Sequence, residues 1–94
     1  MRPRKTRDLD SQLKRKGFIS EQRNHIFYYL IYKNKKTSIY TKLSHSISEY
    51  SNNLLSLMAK QLSLTNLEFE SLLDCPLSYD DLINKLKERN RILE

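Results

Sequence analysis

The chain has few of the residues on which many protein classes depend. Its 94 residues include one Gly, one Cys, two Pro and no Trp. A single glycine excludes a Gly-rich phosphate loop, because such loops need several glycines to bring the backbone close to a phosphate. The lone Cys75 cannot form an internal disulfide. We interpret it as a small buried residue of a protein in a reducing compartment, and we expect a cytoplasmic location.

Long hydrophobic runs and recognisable catalytic motifs are also missing. No run approaches the ~18 apolar residues of a membrane span, and no apolar signal stretch follows the basic N-terminus. His25, His45 and Cys75 lack the spacing of metal ligands, and no strained nucleophile turn suggests a Ser-His-Asp hydrolase. The sequence therefore predicts a protein without membrane contact, metal or cofactor.

Positive charge is abundant and unevenly spread. The formal net charge is +6, but residues 1–45 carry 12 Lys and Arg against 3 Asp and Glu, a balance of +9. Residues 46–94 carry 5 against 8, a balance of −3. A basic half indicates a phosphate-bearing or acidic partner. The alternative is a lysine-rich surface that only keeps the protein in solution, and composition does not separate the two.

The first half of the chain predicts one helix and three strands. Leu9 and Leu13, four residues apart and followed by Gly17, are typical of a helix over residues 7–16. Aromatic and β-branched residues predict strands over 18–22, 25–32 and 37–43. The strands form an antiparallel meander, with a turn at Arg23-Asn24 and a polar hairpin loop over residues 33–36. In the third strand, Ile39 and Leu43 share one face and Tyr40 and Lys42 the other.

The second half predicts three helices. An apolar stripe of Leu54, Leu55, Met58 and Leu62 indicates a helix from residue 49 or 50 to 62. A capping box at Thr65 opens the next helix, with Leu67, Leu72 and Leu73 as its apolar side. Cys75-Pro76 breaks that helix, and Ser78 caps a last one with Leu82, Ile83 and Leu86 facing inward.

The predicted fold class is therefore α+β. The order is α-β-β-β-α followed by two short C-terminal helices, and the first five elements match the plan of the double-stranded-RNA-binding fold. We place a main domain at residues 1–72 and a helical extension at 73–94. The extension is expected to pack on the same domain, with a second copy of the chain, giving a homodimer, as the alternative partner.

Two histidines in the basic half are the best sites for chemistry. Histidine moves protons near neutral pH, and RNA carries its own nucleophile in the 2′-hydroxyl. His25 starts the longest predicted strand, and an ordinary structural role is the alternative. His45, between two serines, is more typical of a loop or cap. The aromatic residues can stack on bases or pack in the core: Phe27, Tyr28, Tyr29, Tyr32 and Tyr40. In a regular strand, residues 25 and 28 point to opposite faces.

Several short motifs, in this order, resemble the HicA toxins, which cleave messenger RNA. Lys16-Gly17-Phe18 is similar to the family's exit from its first helix, and residues 23–28 resemble its Gly-Ser-His-x-x-Tyr segment. His45-Ser46-x-x-Glu49 and residues 54–65 resemble later stretches of that family, and Leu67-x-Phe69 extends the likeness. The resemblance covers about residues 6–72. Arg23-Asn24 replaces Gly-Ser, and the segment after residue 73 lies beyond the family's usual end.

The resemblance implies a ribonuclease with His25 as the catalytic residue and a HicB-like antitoxin as partner. It makes Tyr28 and His45 supporting residues. Basic side chains around the second and third strands would hold the RNA phosphates: Arg23, Lys33, Lys35, Lys36 and Lys42. Two other classes remain open. One is a module that binds RNA without cutting it, and the other is an inhibitor or adaptor protein of a mobile element.

Overall fold

The structure, a computed structural model, describes residues 1–74 and 76–93. It contains a three-stranded antiparallel sheet, a two-stranded ribbon and four helices, so the α+β class and the antiparallel meander are confirmed. None of the described helices is long and apolar enough to cross a membrane. The elements in chain order are β1 Arg4–Lys5, α1 Thr6–Arg15, β2 Phe18–Gln22, β3 Ile26–Tyr32, β4 Lys35–Leu43, β5 Glu49–Tyr50, α2 Asn52–Gln61, α3 Asn66–Leu73 and α4 Tyr79–Glu88.

The β3–β4 hairpin turns over two residues rather than four. Lys33 and Asn34 have positive φ angles of 52° and 63°, which fits the tight turns that match strand twist. Lys35 and Lys36 are paired residues of β4, so the prediction that residues 33–36 form the loop is wrong at its second half. It fails because lysine side chains are compatible with an edge strand as well as with a loop.

The sheet has one covered and one open face. The covered face carries Tyr28, Leu30 and Ile39, none of which is measurably exposed. On the open face, Ile19 is 43% and Tyr40 is 42% exposed. The alternation predicted for the third strand is confirmed, because Ile39 and Leu43 are buried while Tyr40 and Lys42 are exposed.

All four helices contribute to one core with the covered face of the sheet. The helical residues at its centre are Leu9, Leu13, Leu55, Met58, Phe69, Leu72, Leu82 and Leu86. Burying each such side chain contributes about 1.5–3 kcal/mol. One predicted inward residue, Leu67, is instead 72% exposed. That prediction is wrong because the inward side of α3 is set by Phe69, Leu72 and Leu73, which leaves the first turn facing water.

Part of the basic N-terminus, Arg4–Lys5, forms a short strand before the first helix. Arg4 pairs with Tyr50 and Lys5 with Glu49, and the Thr6 N–H donates to the Ser48 carbonyl at 2.9 Å. Since Glu49 and Tyr50 are extended in this ribbon, α2 begins at Asn52. The prediction that it starts at residue 49 or 50 is therefore wrong.

The C-terminal segment contacts both α1 and the sheet. The Tyr79 hydroxyl donates to the Ile31 carbonyl at 2.6 Å, and Lys16 Nζ donates to the Leu77 carbonyl at 2.5 Å. The predicted capping box at Thr65 and the predicted cap at Ser78 are confirmed, and the Ser78 cap is also a capping box. The roles predicted for Cys75, in the helix break and in the core, lie outside the described residues. The division of the chain at residue 72 stays a prediction.

Candidate functional site

His25 lies in the short connection between β2 and β3, because β3 begins at Ile26 and not at His25 as the sequence predicted. The Arg23 N–H donates to the His25 carbonyl at 2.9 Å, and the His25 N–H donates to Asn24 Oδ1 at 3.1 Å. These bonds fix the backbone on both sides of the half-buried histidine. Within the described part of the chain, the imidazole ring itself has no hydrogen-bond partner. The ring is therefore available to an external group.

The His25 side chain lines a cavity of about 200 Å³ between the end of the sheet and α2. Lys42 and Gln61 line the same cavity. Its remaining walls are Ser44, Ile47, Tyr50, Leu54, Leu57 and Met58. None of the residues that the structure places around this cavity is acidic, so its electrostatic character suits an anion.

Two hydrogen bonds orient neutral donors around this cavity. The Thr41 hydroxyl donates to Gln61 Oε1 at 2.6 Å, which leaves the amide N–H groups of Gln61 for another acceptor. The Ser44 N–H donates to the Tyr50 hydroxyl oxygen at 2.7 Å, which leaves the phenolic proton to be donated elsewhere. A proton-transfer group, a cation and neutral donors thus line one small space. That combination suits a phosphate diester.

Tyr28 lies apart from the His25 cavity. Its ring is fully buried on the covered face, and its hydroxyl donates to Asp10 Oδ1 on α1 at 2.6 Å. Burial and the adjacent Asp10 carboxylate raise the pKa of Tyr28 well above its ordinary value. Tyr28 lines a neighbouring cavity of about 240 Å³ together with His45. The structure therefore does not bring Tyr28 and His25 into one cavity.

His45 supports the turn that carries His25. Its Nε2 lies 2.9 Å from the Arg23 carbonyl oxygen. Because a carbonyl only accepts, this ring nitrogen carries the proton. The bond ties the connection after β4 to the turn before β3. His45 is thus placed to position the backbone next to His25 rather than to share its cavity.

The five predicted phosphate-binding cations fall into two groups. Lys33 and Lys35 lie at the hairpin end, where they line a cavity of about 390 Å³ with Tyr32 and Arg91. The other three, Arg23, Lys36 and Lys42, lie around the open face and the His25 cavity.

Two cations of the second group share one acid. Glu21 pairs with Lys36 at 2.6 Å and with Arg23 at 2.8 Å. The Lys36 hydrogen bond, followed by the Arg23 hydrogen bond, lowers the pKa of Glu21. Lys42 has no acidic partner among the described residues. It is therefore the cation best placed to meet a phosphate beside His25.

Three aromatic rings form a patch on the open face, which we call the aromatic face. Phe27, Tyr29 and Tyr40 have ring centroids 5.8–6.2 Å apart, and the Phe27 and Tyr29 planes differ by 15°. The sequence indicated aromatic strands but not which rings share a face. The sequence does not contain the strand register, and it is the register that pairs Tyr29 with Tyr40.

In the described part of the chain, no group of three or more His, Cys, Asp or Glu side chains is arranged to hold a metal ion. Comparison with protein-family models, with curated proteins and with solved structures gives no match to this chain.

Proposed function

We propose that this chain is a ribonuclease in which His25 acts as general acid or base. The observation that carries the proposal is that an unpartnered imidazole shares a cavity with Lys42 and no acidic residue. The excess of basic residues in the first half of the chain supports an RNA substrate, because positive charge attracts the phosphate backbone.

The proposed reaction uses the RNA's own 2′-hydroxyl as nucleophile. His25 takes the 2′-hydroxyl proton while the 2′-oxygen attacks the adjacent phosphorus and the bond from phosphorus to the 5′-oxygen breaks. The 5′-oxygen leaves with a proton from the imidazolium or from water. The products are a 2′,3′-cyclic phosphate and a 5′-hydroxyl end. Lys42 and the Gln61 amide stabilise the negative charge that develops on the phosphoryl oxygens.

We further infer a double-stranded-RNA-binding-like plan and a HicA-like role with an antitoxin partner of the HicB type. Apart from the two-residue strands β1 and β5, the order α1, β2, β3, β4, α2 supports this plan. The replacement of Gly-Ser by Arg23-Asn24 is compatible with the HicA-like role. Neither Arg23 nor Asn24 has a positive φ angle, so this turn does not require glycine.

A second function, RNA binding without cleavage, is favoured by the aromatic face. Bases can stack on exposed aromatic rings, and this kind of binding requires no catalytic group. A third, an inhibitor or adaptor that binds an acidic protein, rests on charge alone. The cleavage experiment separates the first function from the other two.

The test compares the purified wild type with His25→Ala and, as a matched control, His45→Ala. End-labelled RNA is incubated with each protein, and the product ends are analysed. We expect His25→Ala to cleave about 10²–10⁴-fold more slowly, because general acid–base help is lost. His45→Ala should be milder, because His45 bonds to a backbone carbonyl outside the cavity.

Three results would contradict the proposed mechanism. Cleavage by His25→Ala at the wild-type rate would remove His25 from the mechanism. A wild type that binds RNA but never yields 2′,3′-cyclic ends would leave the binding function in its place. If wild type neither binds nor cleaves RNA, the interaction-protein function replaces both.

A further inference from the structure

The aromatic face remains unused by the proposed cleavage step. The helices of the described chain pack on the opposite face of the sheet, and Tyr40 and the neighbouring Ile19 are each more than 40% exposed. Singly exposed apolar residues are normal, whereas a contiguous apolar patch on a protein surface marks an interaction site. Three rings in mutual contact on one strand pair therefore indicate a binding surface.

Cations lie over two of these three rings. Arg23 Cζ is 5.4 Å from the Phe27 ring centroid, and Lys36 Nζ is 4.5 Å from that of Tyr29. One face of Phe27 and one face of Tyr29 therefore already meet a cation. A base stacking on Tyr29 would take the place of the Lys36 ammonium, which has a second partner in the Glu21 carboxylate at 2.6 Å.

The aromatic face is continuous with the His25 cavity through Lys42. Lys42 is the ladder partner of Phe27, and the same side chain lines the cavity with His25. A strand of RNA lying across the rings therefore reaches the imidazole without leaving the protein surface.

We infer that the aromatic face binds the unpaired bases of single-stranded RNA beside the site of cleavage. The inference rests on the proposed function and names its substrate class. In a duplex the faces of the bases are covered by neighbouring bases. Unpaired bases can instead stack on aromatic side chains and on the guanidinium planes of arginines. An acidic protein segment would match the cations, but it would leave the faces of the rings unused.

The test uses RNA that cannot be cut through its 2′-oxygen. The probe is a 2′-O-methyl oligonucleotide of about eight nucleotides, a length that one small domain can cover, with 2-aminopurine at one position. The same strand annealed to its complement is the duplex control. Wild type is compared with the double variant Tyr29→Leu/Tyr40→Leu. Tyr32→Leu is the matched control, because Tyr32 also has lysines over its ring but lies outside the aromatic face.

We expect wild type to bind the single strand more tightly than the duplex and to quench 2-aminopurine. The double variant should lose roughly 10–100-fold in affinity, which is typical of losing base stacking on aromatic side chains. Tyr32→Leu should bind like wild type. Circular dichroism and thermal melting of all three proteins verify that the variants are folded.

Each other outcome overturns the inference in a distinct way. If the double variant binds and cleaves natural RNA like wild type, the aromatic face is not the binding surface, and the ribonuclease proposal stands. If wild type binds no RNA in any form, both proposals fail together. If wild type does not bind the oligonucleotide but binds a poly-glutamate peptide through the same tyrosines, the aromatic face is a binding surface for an acidic protein.

Discussion

The Tyr28 hydroxyl illustrates how one residue can resemble a catalytic group and still have a structural role. We expect Tyr28→Phe to lower the free energy of unfolding by about 1–2 kcal/mol, because it removes a bond to the Asp10 carboxylate. The cleavage rate should not change. Tyr29→Phe is the matched control, since the Tyr29 hydroxyl has no hydrogen bond among the described residues. Urea unfolding and RNA cleavage measure both quantities. A loss of cleavage comparable to that of His25→Ala would place Tyr28 in the mechanism.

Gly17 joins α1 to β2 in a conformation that other residues avoid. Its φ is +94°, and a Cβ there would lie 2.5 Å from Tyr79 Cδ1. We expect Gly17→Ala to lower the melting temperature clearly, at a cost of about 1–3 kcal/mol for strain and overpacking.

A double-mutant cycle separates the two causes of that loss. Tyr79→Leu removes the ring and should recover part of the Gly17→Ala loss, while the part due to the φ angle remains. Full additivity of the two substitutions would show that the ring does not oppose the new methyl group.

Some residues of the candidate site could be predicted from the sequence and others could not. His25 could be found because its chemistry and its place in a motif are local properties. Its neighbours in the cavity could not, because Lys42 and Gln61 are brought there by strand pairing and helix packing. The separation of His25 from Tyr28 was predicted from strand alternation, but His25 lies before β3, so alternation is not its cause.

At the scale of elements, Glu68 connects two helices of the second half. It accepts two hydrogen bonds from Arg89 at 2.6 and 2.9 Å and also caps α3 at Thr65. The Arg89 hydrogen bond, then the Thr65 backbone N–H and Lys85, lower the pKa of Glu68 to about 2, against the opposing effect of burial. Since its ordinary value is 4.5, the charged form of Glu68 stabilises the folded chain.

This shift predicts a specific dependence on pH. The stabilisation is fully present above pH 4.5 and is lost as the pH falls towards 2, because the unfolded state then binds a proton that the folded state does not. We expect Glu68→Gln to unfold more easily by about 1–2 kcal/mol at neutral pH, after allowing for solvent screening of the partly exposed Arg89. Gln keeps the capping box.

The difference between wild type and Glu68→Gln should shrink as the pH is lowered through this range. Urea unfolding at a series of pH values measures it. Asp80→Asn serves as the control, because Asp80 is an exposed acid of α4. A gap between wild type and Glu68→Gln that stays constant down to pH 2 would contradict the shift.

Helices and strands whose determining residues are close together in the sequence were predicted correctly. Those that depend on pairing with a segment far away in the sequence were not. The capping boxes at Thr65 and Ser78 each lie within four residues, so the sequence contains the whole signal. The ribbon of β1 and β5 joins segments more than 40 residues apart through two residue pairs. No periodicity can appear in two residues. The same pairing moved the start of α2 to Asn52.

At the scale of the whole molecule, α4 completes the core. Leu82, Ile83 and Leu86 are at most 5% exposed. Removing residues 75–94 should therefore cost several kcal/mol, about 1.5–3 for each of these side chains, against a total stability of about 5–15 kcal/mol.

We expect the truncated chain to be largely unfolded by circular dichroism. Deletion of residues 93–94 is the control, because Leu93 is 78% exposed, and that variant should melt like wild type. A chain ending at Asp74 that melts at the wild-type temperature would show that α4 is dispensable.

The net charge shows which half of the chain is basic, but not which of its cations are available to a phosphate. Arg4 belongs to the basic N-terminus, yet it donates two hydrogen bonds to Asp74 at 2.6 and 3.0 Å, and its side chain is only 10% exposed. Asp74 lies 70 positions away in the chain. Only the folded structure therefore separates the cations that are held by acids from those, such as Lys42, that are not.

This separation predicts how RNA affinity depends on salt. Each cation that neutralises a phosphate releases a counterion, so removing one such contact lowers the slope of log affinity against log salt by about one. We expect Lys42→Gln to do so, because Lys42 lies beside His25 with no acidic partner among the described residues. Arg15→Gln, which removes an equal charge from the exposed end of α1, should leave the slope unchanged. Equal slopes for wild type and Lys42→Gln would mean that the phosphate beside His25 is held by other groups.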